Sequence, residues 1–217
     1  EYFGGTLRDD PQMPGWTFYG TQNGYDVWQN QYYIPMGFCY DQCVSREQYD
    51  ATTEGQRELL LLKAMVLDEE QMERYSDCLT PIESVNTLSY TEEAYLQDCL
   101  DRKETACTSF SYDNKGFSAV SEGETDRLVF FSVPYEEGWS ATVNGQEVPV
   151  EKVNVGFMAV KVPAGTAEIR FTYRTPGLML GMAATAVSVV LLLAHLLICR
   201  WQCRRTPKPC RGPALKP

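Results

Sequence analysis

Residues 126–175 read DRLVFFSVPYEEGWSATVNGQEVPVEKVNVGFMAVKVPAGTAEIRFTYRT. Short apolar-alternating runs are separated here by Pro134–Gly138, Asn144-Gly145 and Pro163-Ala164-Gly165, residues that punctuate strands because they supply or tolerate turn conformations. Leu128–Val133 is too apolar for a half-exposed strand and is expected to lie centrally in a sheet. Ser140–Val143 and Gln146–Val150 flank Asn144-Gly145, a strong hairpin signal because both positions accept φ > 0. Gly156–Val162 and Ala167–Tyr173 flank the Pro-Ala-Gly turn. Upstream, Ser109–Tyr112 and Gly116–Val120 alternate around Asp113-Asn114-Lys115 as a further hairpin. About seven strands at this spacing predict an antiparallel, jelly-roll-like β-sandwich over residues 108–176.

Pro176-Gly177 follows, and then 22 residues without formal charge, Leu178 to Cys199. As a helix they reach roughly 33 Å, enough for a hydrocarbon core of about 30 Å. Arg200, Trp201 and further basic residues close the run, the pattern of an interfacial anchor on the cytoplasmic side. No Asp or Glu follows Gly177, so residues 1–177 carry 13 basic and 29 acidic groups, net −16 within an overall −10. A body of that charge repels phosphate backbones, which excludes nucleic acid as a partner. The predicted layout is residues 1–107 as a mixed helix and strand region, 108–176 as the membrane-proximal sandwich, 177–199 as a transmembrane helix and 200–217 as a basic cytoplasmic tail. The body is then extracytoplasmic. A body ahead of its span is exported only if something upstream directs it, and the chain opens on Glu1 with no signal-like region; a signal peptide or, in preference, upstream transmembrane helices of the same protein are therefore expected.

In the first region, residues 1–24 read as loop and short strand, and Tyr25–Asn30 as a strand. Thr53-x-x-Gln56 has capping-box spacing before an apolar helix over Arg57–Leu67. A polar connection, with one strand or turn near Pro81, leads to a helix starting at Thr91, whose acidic start and basic end suit the helix dipole.

The inventory restricts chemistry. The one histidine, His195, lies within the apolar run, so the outer body holds neither a Ser-His-Asp constellation nor a histidine zinc site; His195 reads as a helix-contact residue. Of eight cysteines, Cys39, Cys43, Cys78, Cys99 and Cys107 precede the span, an odd number that forbids complete internal pairing. Either a disulfide involving Cys99 or Cys107, or free buried thiols, fits. The carboxylates show no convergent spacing, so no catalytic residue, metal ligand or cofactor site is expected. The surplus is aromatic: 13 Tyr, 9 Phe and 4 Trp. Tyr135 and Trp139, in and beside the Gly-containing turn, are candidate glycan contacts, because sugar faces stack on exposed rings; Trp139 also suits the role of a plug at the end of the sandwich.

Val133-Pro134-Tyr135, Gly138-Trp139-Ser140-Ala141, Asn144-Gly145, Val153-Asn154, Gly156-Phe157-Met158 and Phe171-Thr172-Tyr173, in this order, resemble the carboxyl end of the bacterial membrane protein YfhO family. Asn30–Phe38 and Leu59–Asp68 resemble that family's preceding outer section. The resemblance implies a polytopic protein of the bacterial cell membrane, a GT-C type glycosyltransferase that moves sugar from a polyprenyl-phosphate donor to an envelope polymer of the lipoteichoic acid class. Catalytic acids in such enzymes lie in early outer loops, so this portion is expected to be non-catalytic. The rival expectation is a membrane-anchored glycan-binding or scaffold protein without catalysis.

Overall fold

The computed structural model describes residues 15–205; the tail Thr206–Pro217 and the first 14 of residues 1–24, expected as loop and short strand, lie outside them. In chain order the strands and helices are β1 (Trp16–Gln22), β2 (Tyr25–Asn30), β3 (Phe38–Cys39), β4 (Gln42–Ser45), α1 (Arg46–Ala51), α2 (Glu54–Lys63), β5 (Met65–Leu67), α3 (Glu69–Arg74), β6 (Thr80–Pro81) and α4 (Glu92–Glu104). There follow β7 (Ser109–Asp113), β8 (Gly116–Gly123), β9 (Arg127–Pro134), β10 (Trp139–Val143), β11 (Gln146–Val148), β12 (Glu151–Val153), β13 (Phe157–Val162), β14 (Gly165–Tyr173) and α5 (Leu178–Arg205). The class is α+β, and its sheets are mainly antiparallel.

Two antiparallel sheets, ordered β11-β10-β14-β8-β7 and β12-β13-β9-β3, enclose the main core. Alternation aims Phe117 and Ala119 of β8 and Ala167, Ile169 and Phe171 of β14 into it, opposite Val129 and Phe131 of β9 and Met158, Val160 and Val162 of β13. The Asn144-Gly145 hairpin forms as expected, with φ of 51° and 80° at its two central residues. The Pro163-Ala164 turn instead carries the chain from one sheet to the other, since β13 pairs with β9 and β14 with β8 and β10.

β9 is central, between β13 and β3, and is buried on both faces. Its Val129 and Phe131 enter the sandwich, while Leu128 and Phe130 pack on a second core with Tyr40, Met65, Leu67, Tyr75 and Leu79. A strand covered on both sides has no polar face to show, which explains the unbroken Leu-Val-Phe-Phe run. Because β3 supplies Phe38 and Cys39 to β9, strand pairing crosses residue 107, and the described residues 15–173 form one compact unit.

The second core lies beside a small parallel sheet, β5-β4-β6. Its formation corrects the helix expected over Arg57–Leu67. That helix begins at Glu54 and stops at Lys63; Ala64 is extended, and Met65–Leu67 pairs with Cys43–Ser45 and is fully buried. Apolar residues that would continue the helical stripe gain more from burial between layers, so tertiary pairing overrides propensity. The Thr53 hydroxyl bonds the Gln56 side chain at 2.7 Å, and no backbone cap forms. True capping boxes sit at Ser45/Gln48 and Asp68/Gln71, starting the six-residue helices α1 and α3, which are too short for a periodicity signal. The helix from Thr91 forms as expected, its hydroxyl accepting from Ala94 N.

Asn154 fastens the sandwich to the parallel sheet. Its Oδ1 accepts from Val66 N at 2.7 Å, its N donates to Val66 O at 3.0 Å, and its Nδ2 donates to Tyr40 Oη at 3.0 Å. To do so it occupies a turn closed by Gly156 N donating to Val153 O, with φ of 47° at Asn154 and 71° at Val155. Two successive positive φ values define a type I′ turn, which suits Asn-Gly; a β-branched Val at the second position is strained.

α5 is a unit of its own by compactness. Leu178–Gln202 is long and apolar enough to cross a membrane. Thr185 and Ser188 bond the carbonyls of Gly181 and Ala184 one turn back, so their hydroxyls are satisfied within the helix, as an apolar surrounding requires.

Two variants test the Asn154 fastening by chemical unfolding of the purified protein. Asn154→Ala leaves Val66 N–H without its acceptor and Tyr40 Oη bonded only to Leu61 O, and is expected to lose about 2–3 kcal/mol. Val155→Gly relieves a left-handed β-branched residue at about 1–2 kcal/mol, offset in part by chain entropy, for a net gain of about 1 kcal/mol; a loss would show that the Val155 side chain stabilises the turn.

Candidate functional site

Trp139 enters β10 from a tight loop in which its N–H donates to Glu136 O at 3.1 Å, while Tyr135 N donates to Gly156 O at 2.8 Å. Register places Trp139 opposite Tyr173, with ring centroids 5.0 Å apart at 59°. Behind Trp139 lie Phe117 at 5.6 Å and Phe171 at 6.2 Å, both edge-on, and these two stack on each other at 4.5 Å. Phe131 closes the column at 5.2 Å from Phe117. Trp139 thus ends an aromatic column running through the core, packed against it yet only partly covered.

Its open side faces a shallow groove of about 450 Å³, walled by Phe110, Tyr112, Val133 and Tyr173, with Asn114 and Lys115 at the rim. The β7–β8 turn forms that rim. It is pressed against β14, since a Cβ on Gly116 would lie 2.1 Å from Phe171 O, and Tyr173 N donates to Lys115 O at 2.8 Å. Asp113 shapes the turn by accepting from Lys115 N and Gly116 N, and it pairs with both oxygens to Arg170 at 3.0 and 2.8 Å. Those backbone donors, then the guanidinium, hold its carboxyl below the usual aspartate range. Asp113 is therefore an ionised structural acceptor. Tyr112 projects into solvent at 84 % exposure. The arrangement can offer flat apolar faces beside amide and ammonium donors, which suits stacking and hydrogen bonding of a ring-shaped polar ligand.

The structure does not bring the two expected aromatics into this groove together. Trp139 lines it. Tyr135 packs on the sandwich core, with Lys152 Nζ 5.9 Å from its ring centroid. Tyr173, Tyr112 and Phe110 were not singled out from sequence; their alternation along strands is visible there, but the register that sets Tyr173 beside Trp139 is not.

The remaining chemistry is structural. Glu151 is buried and accepts from Tyr75 Oη at 2.7 Å, Gln71 Nε2 at 2.8 Å and Arg74 Nη1 at 2.8 Å. Burial alone would raise its pKa, but the hydrogen bonds from Tyr75 and Gln71 and the Arg74 charge pull it below the usual glutamate value. The five cysteines ahead of α5 are free thiols, so the disulfide alternative does not form. Burial pushes Cys39 up to about 12 and Cys78 and Cys107 up to about 11, leaving almost no thiolate for nucleophilic chemistry near neutral pH. Among the described residues, no three His, Cys, Asp or Glu side chains converge as a metal site.

Residues 80–185, running from β6 through strands β7–β14 into α5, match the family described as bacterial membrane protein YfhO. This segment, just under half of the chain, is of the YfhO family. It is similar to the uncharacterized protein YfhO of Bacillus subtilis (strain 168), at 28 % identity over 71 residues, 33 % of this chain and 8 % of that protein. The match thus spans a small part of its curated relative. No solved structure matches the chain. The family segment contains Tyr135, Trp139 and the groove, and family membership together with the apolar α5 places the protein in a membrane.

Glu151 gives a pH signature. Its folded pKa is depressed, so the stability it contributes is present above the unfolded glutamate value of about 4.3 and is lost as pH falls through the folded value. Glu151→Gln is expected to be less stable than the parent at pH 7, with the difference shrinking below about pH 4. A difference that stays constant down to pH 3 in thermal unfolding would refute an ionised Glu151.

Proposed function

We propose that the chain is the carboxyl-terminal part of a polytopic GT-C type glycosyltransferase. It transfers sugar from a polyprenyl-phosphate donor to a cell-envelope polymer of the lipoteichoic acid class. The observation that carries this reading is the YfhO-family segment, which joins the sandwich to an apolar helix. In this reading the portion described is non-catalytic, and two of its carboxylates are structurally engaged, Asp113 by Arg170 and Glu151 by Arg74 of α3. Chemistry comes from upstream elements, and the body positions the acceptor, which lowers the barrier by holding reactants in geometry. Trp139 is the glycan contact, with its groove supplying the stacking face, while Tyr135 lies outside that groove. The body lies outside the cell and the basic tail inside, following the distribution of Lys and Arg after Trp201.

The open aromatic groove equally suits a membrane-anchored glycan-binding scaffold without catalysis, and one experiment separates the two. In cells lacking the gene, the sugar content of lipoteichoic acid and other envelope polymers is measured. Loss of a sugar substituent is expected; unchanged polymers would leave only the scaffold. For the groove, Tyr112→Ala removes a side chain outside the core, so its effect on stability is expected within about 0.5 kcal/mol. Its loss of one ring contact weakens retention on immobilised envelope polymer roughly two- to tenfold; unchanged retention would remove the groove from the reading.

A further inference from the structure

A second cleft, of about 380 Å³, opens where α2, α4 and the entry to β4 meet. Asp41, Lys63, Asp98, Asp101 and Arg102 line it. Lys63 ends α2 and donates to Asp98 Oδ2 at 2.5 Å. Asp98, Asp101 and Arg102 share one face of α4, being three and four residues apart. Asp101 accepts from Gln97 Nε2 at 2.7 Å. Arg102 is 5 % exposed; its Nη1 donates to Cys39 O at 2.6 Å, its Nη2 to Asp41 Oδ2 at 3.2 Å, and its Nε has no hydrogen-bond partner. The Tyr40 ring packs against the guanidinium, 5.0 Å from Cζ to the centroid. The cation is therefore held in the wall by packing and by the Cys39 carbonyl, while its carboxylate partner Asp41 remains largely in solvent.

Charge and lining decide what such a cleft accepts. An anion would meet three carboxylates on a body of net −16. A cation would meet Lys63 and Arg102. No three metal-ligating side chains converge among the described residues. Leu88 is the apolar contribution to the lining, so an apolar ligand would leave charged groups desolvated and unpaired. What remains is a neutral ligand carrying many groups that both donate and accept. A hydroxyl has one donor and two acceptor sites, so it can donate to a carboxylate and accept from an ammonium or guanidinium at once. Each carboxylate here keeps acceptor capacity beyond its one internal bond. The volume lies at the lower end for small-ligand pockets, about 300–1,000 Å³.

We propose that this cleft is a binding site for a neutral polyhydroxylated ligand, a sugar ring or an open-chain polyol, recognised by hydrogen bonds to Asp41, Lys63, Asp98 and Asp101. It is separate from the Trp139 groove and stands whether or not the glycosyltransferase reading does.

The test is amide hydrogen exchange of the full chain in nanodiscs, with glucose as the ring probe, ribitol as the open-chain probe, and inorganic phosphate and spermidine as charged probes. Glucose or ribitol is expected to slow exchange in α4 and in residues 41–43, and whichever does so identifies ring or chain as the recognised form. Asp101→Ala, which removes an acceptor bonded only within its own helix, is expected to raise the half-protecting concentration about tenfold. Trp139→Phe is expected to leave it unchanged. The proposal is overturned if neither neutral probe protects α4, if only phosphate or spermidine does, or if Asp101→Ala binds like the parent.

Discussion

β9 must satisfy two hydrophobic cores at once, and the architecture of residues 15–173 follows from that constraint. Val129 and Phe131 are claimed by the sandwich and Leu128 and Phe130 by the layer of helices and parallel strands. Neither face can be offered to water, so each needs a cover. One is the five-stranded sheet; the other is assembled from residues 40–79, around Tyr40, Met65 and Tyr75. Truncating a fully buried ring such as Phe131 costs about 3–5 kcal/mol in cores of this kind, comparable to much of a domain's net stability of about 5–15 kcal/mol.

Apolar burial is non-directional and cannot fix how the two cores meet. Polar fastenings do that. Asn154 joins a sandwich turn to Val66 of the parallel sheet, and Glu151 of β12 holds Gln71 and Arg74 of α3 and Tyr75 just after it. Arg127, itself buried, ties the crossovers between sheets by donating to Ser121 Oγ and to the carbonyls of Thr125, Pro163 and Gly165. Each bond has a specific direction, and each is expensive to leave unmade away from water. The strain at Val155 sits beside one of these fastenings, where surrounding bonds over-determine the backbone.

The aromatic column links this frame to the groove. Phe131, Phe117, Phe171 and Trp139 are in ring contact from the centre of the sandwich to its end, so the exposed face of Trp139 is held by core packing. A contact surface built on strands in this way is more rigid than one borne on a loop, as the proposed positioning role would require. The polar cleft is of another kind: its groups come from α2, α4 and the entry to β4, and its character is set by paired charges.

Much of the sandwich was legible. Asn144-Gly145, the alternation of β13 and β14 and the apolar excess of β9 each reflect a local physical rule, and the family resemblance lay in the same stretch. So did the apolar α5, because crossing a membrane demands composition and length alone. Met65–Leu67 was not legible, since its strand state depends on a parallel partner more than twenty residues away, and α1 and α3 are shorter than the period that would reveal them. At the groove, sequence indicated Trp139 as exposed or plugging, and packing made it both. Sequence by itself determined which residues were apolar, where turns fell and which segment suited a bilayer, because those depend on neighbours along the chain. The tertiary structure alone decided that Tyr173 and Tyr112 join Trp139 while Tyr135 does not, and that Asp98, Asp101 and Arg102 face Asp41 and Lys63. Register and layer packing bring together residues far apart in sequence, and no local pattern encodes them.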